Sequence, residues 1–165
     1  NPVYDYYYPE PGTLKTVYTE GVFFGYRGFE RAGVAPLFSF GHGLSYTTFE
    51  YGELSVSPDT TGDGNVEVSF DLTNTGDRAG AEVAQVYVAD SHSRVPRPPK
   101  ELKGFTKVYL EPGETQRVTV RLDRRSFAYY DVESRDWAVT PGDFEVLVGR
   151  SSETIELRRK LTFTK

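Results

Sequence analysis

Residues 66–72 read Val-Glu-Val-Ser-Phe-Asp-Leu, with an apolar side chain at every second position. Successive side chains of a strand point to opposite faces, so Val66, Val68, Phe70 and Leu72 share one face and Glu67, Ser69 and Asp71 the other. That is the pattern of a strand packed on one side and wet on the other. After the turn signal Asn74-Thr75-Gly76-Asp77, the stretch Glu82–Ala89 (EVAQVYVA) is apolar on both faces, as a central strand would be.

Further along, Leu102–Leu110 closes on Glu111-Pro112-Gly113-Glu114, a strong turn signal. Val118, Val120 and Leu122 then alternate with Thr119 and Arg121, and short strands fit 127–131, 137–139, 144–149 and 155–163, the last with Arg159 out of phase. Seven to nine short strands between turns, and no helical stretch, predict an all-β fold, an immunoglobulin-like or fibronectin type III-like antiparallel β-sandwich. The sandwich is expected over residues 51–165.

Residues 1–50 differ in kind. They hold 13 of the 24 aromatic residues, with prolines at 2, 9, 11 and 36, yet neither a 3.6 nor a 2.0 period runs through them. Tyr4, Tyr6, Tyr7, Tyr8, Phe23, Phe24, Tyr26, Phe29, Phe38 and Phe40 therefore sit on what reads as extended chain and turns. Such a segment cannot bury its rings against itself, and burying each is worth about 2–3 kcal/mol, so it should lie along other surfaces. Part of that surface is expected on the sandwich, and the rest outside this chain.

Composition narrows the function. A net charge of −5 argues against nucleic acid as a general partner. No apolar run reaches the ~20 residues of a membrane helix, so no membrane partner is expected. Without cysteine there is no disulfide, thiolate catalysis or zinc–thiolate site, and the two histidines lie 50 residues apart, so neither cofactor nor metal is expected. The chain contains no methionine, which predicts that Asn1 is an internal residue of a longer precursor.

Several strings invite a chemical reading. Gly41-His42-Gly43-Leu44-Ser45 sets a serine near a histidine, but a nucleophile elbow needs a second glycine after the serine and a helix beyond it, and Tyr46-Thr47-Thr48 follows instead. The string reads as a turn entering the first strand. Asp131, Glu133, Asp136 and Asp143, with Asp59, Asp63 and Asp77, fall in turns or on polar strand faces rather than as the flanking pair of a glycosidase cleft. The loop Asp59–Asn65 carries oxygen ligands but lacks the downstream glutamate of a calcium loop. Trp137, Tyr129 and Tyr130 are candidates for a sugar-stacking platform, although a single tryptophan near Phe144 more often belongs to the core, which is the reading preferred. The loop Ser91–Lys100 (SHSRVPRPPK), long, basic and rich in proline, is expected to reach outward.

Four ordered stretches carry a resemblance: Tyr18–Phe29 (YTEGVFFGYRGF), Pro36–Phe49 (PLFSFGHGLSYTTF), Pro99–Glu114 (PKELKGFTKVYLEPGE) and Phe127–Val148 (FAYYDVESRDWAVTPGDFEVLV). Together they resemble the C-terminal part of glycoside hydrolase family 3 enzymes, the β-glucosidases and related β-xylosidases, over about residues 15–163. Ser39 departs from the proline commoner there. The resemblance implies a retaining, double-displacement hydrolase acting on β-glucosides or oligosaccharides. It also implies that the nucleophilic aspartate and the acid/base glutamate lie in N-terminal barrel and α/β domains outside this sequence. No catalytic residue is carried over to this chain. The implied role is that of an accessory domain bracing those N-terminal catalytic domains, with residues 1–50 as a connecting arm from the end of the α/β domain. Phe23, Phe24, Tyr26, Phe38, Phe40 and Tyr46 are then the expected interdomain contacts, and an extracellular or periplasmic location is favoured. A free-standing carbohydrate-binding module and a ligand-free cell-surface spacer are the alternatives.

Overall fold

The computed structural model describes residues 12–16, 18–58 and 64–163; Tyr4, Tyr6, Tyr7, Tyr8 and most of the Asp59–Asn65 loop lie outside them. Two antiparallel sheets face each other across one core. The first, of three strands, has the order β1-β2-β5, with β1 at Phe49–Pro58, β2 at Val66–Asn74 and β5 at Thr115–Leu122. The second, of four, has the order β4-β3-β8-β9, with β3 at Gly80–Asp90, β4 at Glu101–Leu110, β8 at Gly142–Gly149 and β9 at Ile155–Phe163. A separate two-stranded hairpin pairs β6 (Tyr129–Asp131) with β7 (Asp136–Ala138). This is the sandwich expected from the alternation, and the two-sided apolar stretch is indeed an interior strand of its sheet.

The inward rows are those the period of two picks out. Val66, Val68, Phe70 and Leu72 of β2 meet Val118 and Leu122 of β5, and across the gap Ala84, Val86 and Val88 of β3 and Val146 and Val148 of β8. At one end Phe127, at the close of a 3-10 turn over Arg124–Phe127, packs on Phe144 and Phe163 with ring centroids 5.4 and 4.6 Å apart. Gly104 marks a close approach of the sheets, since a Cβ there would stand 2.7 Å from a Val120 methyl. The outer edges also meet, β1 lying beside β9 and β5 beside β4.

The opposite end is tied by one buried side chain. Asn74 donates from its amide nitrogen to the carbonyls of Arg78 and Leu110, at 2.7 and 3.0 Å. Its Oδ1 accepts the Thr47 hydroxyl at 2.6 Å and the Gly76 N–H at 3.1 Å. A fully buried amide that satisfies each of these bonds locks the entry to β1, the β2–β3 turn and the end of β4 into one register.

Candidate interdomain interface

The four-stranded sheet turns Gln85, Tyr87 and Leu147 away from the core, and all three are buried. What covers them is the segment before β1. The segment is not wholly extended as the sequence predicts, because Tyr26–Ala32 forms a two-turn helix, α1, ended by Gly33 in the left-handed region at φ 63°. Seven residues are too few to show a helical period, and a helix that short is held by packing rather than by propensity. The Tyr26 ring supplies that packing, edge-on to Tyr87 at 5.9 Å and tilted against Phe40 at 5.6 Å. Its hydroxyl oxygen accepts the Leu102 N–H at 2.8 Å, while Glu30 pairs with Lys100 and Arg27 with Glu101 at 3.8 Å. Burial, with Tyr26 and Glu30 close by, pushes the Tyr87 hydroxyl well above its usual range.

Past α1 the chain crosses the sheet at the Phe40-Gly41-His42 string. The Phe40 carbonyl accepts the Ser152 N–H at 2.8 Å. Gly41, at φ 89°, passes so close that a Cβ would lie 2.0 Å from the Gln85 amide nitrogen. Only glycine fits that path. The Gln85 amide in turn donates to the Arg150 carbonyl at 3.1 Å and accepts the Tyr87 hydroxyl. His42 closes a turn on the Ser39 carbonyl and stacks against Phe38 at 5.2 Å, and Ser45 Oγ accepts the Thr47 N–H at 3.3 Å. The glycine-rich string therefore serves the crossing.

Of the six expected contact residues, Tyr26 faces inward and Phe23 lies half-buried under the Arg31 guanidinium, 3.9 Å away. Phe24, Phe38, Phe40 and Tyr46 turn outward with 52–91% of their surface open, joined by Leu37 and Leu44 at 90 and 95%. Sequence reasoning missed two more outward rings, Phe105 and Tyr109 on β4. Their signal was present in the stretch 104–110 (GFTKVYL), where Phe105, Lys107 and Tyr109 take the face opposite to Val108 and Leu110.

Beneath α1 a charged cluster pins the sandwich end. Arg97, with 6% of its side chain exposed, donates to Asp90 at 3.2 Å, to Glu101 at 3.1 Å and to the Phe127 carbonyl at 2.9 Å. Burial alone would raise the Glu101 carboxyl, but the hydrogen bonds from Arg97, with Lys103 and Arg27 nearby, outweigh it and hold the group below its ordinary range. Burial lowers Lys103 against the opposing pull of Glu101. The Ser91–Lys100 loop thus corrects the expectation in part: Ser91, His92 and Arg94–Pro96 are exposed, whereas Arg97 and Pro98 turn in, because two buried carboxylates need a cation.

The remaining candidates spread out. Tyr130 and Trp137 are cross-strand neighbours on the β6–β7 hairpin, 5.7 Å apart and inclined at 74°, with the Arg125 guanidinium 4.1 Å from the Trp137 ring centre. Trp137 is 45% exposed, so it belongs to neither the core nor a flat pair of rings, and Tyr129 is half-buried. Asp131 caps the hairpin turn, accepting from the Ser134 hydroxyl at 2.7 Å and from the backbone of Glu133 and Ser134, which lowers its carboxyl. Asp143 accepts the Thr162 hydroxyl at 2.6 Å. Among the described residues no three histidine, aspartate or glutamate side chains gather as metal ligands.

The described residues thus form a two-sheet sandwich with a pinned arm whose outer rings are open to solvent. Residues 82–152 match the family model described as the fibronectin type III-like domain, which is the class of fold the two sheets build. It is 50% identical over 145 residues to thermostable beta-glucosidase B of Acetivibrio thermocellus, covering 87% of this chain and 19% of that protein. It is 47% identical over 138 residues to an exo-alpha-(1->6)-L-arabinopyranosidase of Bifidobacterium breve, covering 84% and 18%. The crystal structure of the Bifidobacterium adolescentis GH3 beta-glucosidase superposes with a TM-score of 0.87 at 42% identity, over 93% of this chain and 23% of that one. The chain is similar to the C-terminal part of glycoside hydrolase family 3 β-glucosidases, and it spans about a fifth of the length of the curated relatives it matches.

Proposed function

We propose that the chain is a non-catalytic accessory region of a retaining β-glycosidase, a β-glucosidase removing terminal β-D-glucosyl residues, and that it braces the catalytic domains preceding it. The observation that carries this reading is the two-sided arm. Its inner side is fixed to the sheet by the Tyr26 side chain and the Phe40–Gly41 backbone, while its outer side presents Phe24, Leu37, Phe38 and Tyr46 to solvent. Large apolar side chains left open along one segment support a contact surface. One relative is named a β-glucosidase and another an arabinopyranosidase at similar identity, which suits a part that does not choose the sugar.

The test compares the 165-residue chain, the preceding part of the polypeptide, and the two together on an aryl β-glucoside. The chain alone gives no turnover above blank, and the preceding part gains activity or thermal stability when the chain is added. Turnover by the chain alone sinks the accessory reading, and so does a preceding part that is equally active and equally stable without it.

A further inference from the structure

We propose that the β4 flank of the four-stranded sheet, marked by Phe105, Tyr109 and Val83, is a second half of the same contact, covered by the domain that precedes this chain in the longer polypeptide; this rests on the bracing reading above. Among the described residues the arm lies over the middle of that sheet, at Gln85 and Tyr87. On one side of it, the outward row of β9 and β8 is charged, with Arg158 paired to Glu145 at 3.7 Å and Glu156 held by Arg150 at 2.9 Å. That flank suits water. On the other side β4 leaves Phe105 and Tyr109 69 and 62% exposed, beside a partly open Val83.

Flank and arm are continuous. Phe105 stands opposite Gln85, the residue beneath Gly41, and Leu102, three residues before it, donates its N–H to the Tyr26 hydroxyl. A body that covers the outer rings of the arm therefore reaches β4 without a gap. The occupant is named by size and by chemistry. The relatives are about five times as long as the stretch they share with this chain, enough for a large neighbouring domain. Phe105 and Tyr109, with the exposed Lys107 between them on the same face, call for a covering surface that is apolar around one polar or acidic group.

Three tyrosines report on this in the longer polypeptide by hydroxyl-radical labelling at several protein concentrations: Tyr46 on the arm, Tyr109 on β4, and Tyr130 on the remote hairpin as the open reference. Tyr109 is expected to label about five-fold less than Tyr130, although it is the more exposed of the two in this chain, and equally so at every concentration. If Tyr46 is protected while Tyr109 labels like Tyr130, this inference is overturned and the bracing reading stands. If both label like Tyr130, the bracing reading falls and takes the inference with it. Protection of Tyr109 that grows with concentration assigns the flank to a second copy and also overturns the proposal.

Discussion

The two sheets share a core but have opposite outer faces. On the three-stranded sheet the outer row is a ladder of small hydroxyls and ion pairs: Ser69 with Thr119 and Thr73 with Thr115, both at 2.8 Å, Asp71 with Arg117 at 3.0 Å, and Glu67 with Arg121 at 2.9 Å. On the four-stranded sheet the middle of that row, Gln85 and Tyr87, is sealed under the arm, and it is pinned at one end by the buried Arg97 cluster. The same kinds of bond occur on both faces, but solvent decides what they are worth. An exposed pair exchanges water for a partner of similar quality, whereas a buried one has no water to fall back on.

The difference can be broken most sharply at Arg97. Arg97→Met leaves Asp90 buried without its cation and Glu101 with only Arg27 and Lys103, and is expected to lower unfolding stability by about 3–5 kcal/mol, read by chemical denaturation. Tyr26→Ala should come next. It removes the ring between Tyr87 and Phe40 and the acceptor for the Leu102 N–H, and freeing the arm at a loss of about 2–3 kcal/mol is the expected outcome. Hydrogen exchange would show faster exchange at Leu102 while the β2 amides stay protected; a uniform change across both sheets counts against a separately pinned arm.

Acid gives a third, smaller contrast. Glu101 has a folded-state value below its ordinary one of 4.5, so its contribution is fully present above that value and fades as pH falls through the depressed one. Between pH 6 and pH 3 the parent chain should therefore lose more stability than Glu101→Gln, measured by melting at each pH; parallel losses would remove Glu101 as the cause. The smallest effect belongs to the ladder. Arg121→Met breaks a pair whose side chains are 82 and 50% exposed, and a change within about 0.5 kcal/mol is expected by the same denaturation experiment.

The sandwich was legible because β2 and β5 each have one wet face, so their alternation survives in the sequence. The two-sided apolar stretch at Glu82–Ala89 was read as an interior strand, and it is one, but half of its apolar character answers to the arm rather than to the core. Helix α1 was not legible, since its stability comes from Tyr26 resting on Tyr87, 61 residues further on. Arg97 hid for a similar reason. In a basic, proline-rich loop it reads as a solvated charge, and only folding brings Asp90 and Glu101 to it. Phe105 and Tyr109 were written in the alternation of β4, yet an aromatic row on a strand looks the same whether it faces a core or a missing neighbour.

The meeting of the sheet edges has a consequence for how such a part survives detachment. Unpaired strand edges are templates for joining another molecule, and fragments cut from larger proteins commonly clump through them. Here β1 shelters against β9 and β4 against β5, and β1 is further disrupted by an irregular stretch at Gly52–Ser55, where Arg117 donates to the Glu53 carbonyl at 2.7 Å. Among the described residues, stickiness then falls to exposed side chains: the outward rings of the arm, of β4 and of the β6–β7 hairpin. Solubility of the isolated chain becomes a matter of side chains alone, correctable by serine at a few aromatic positions without touching the backbone ladder.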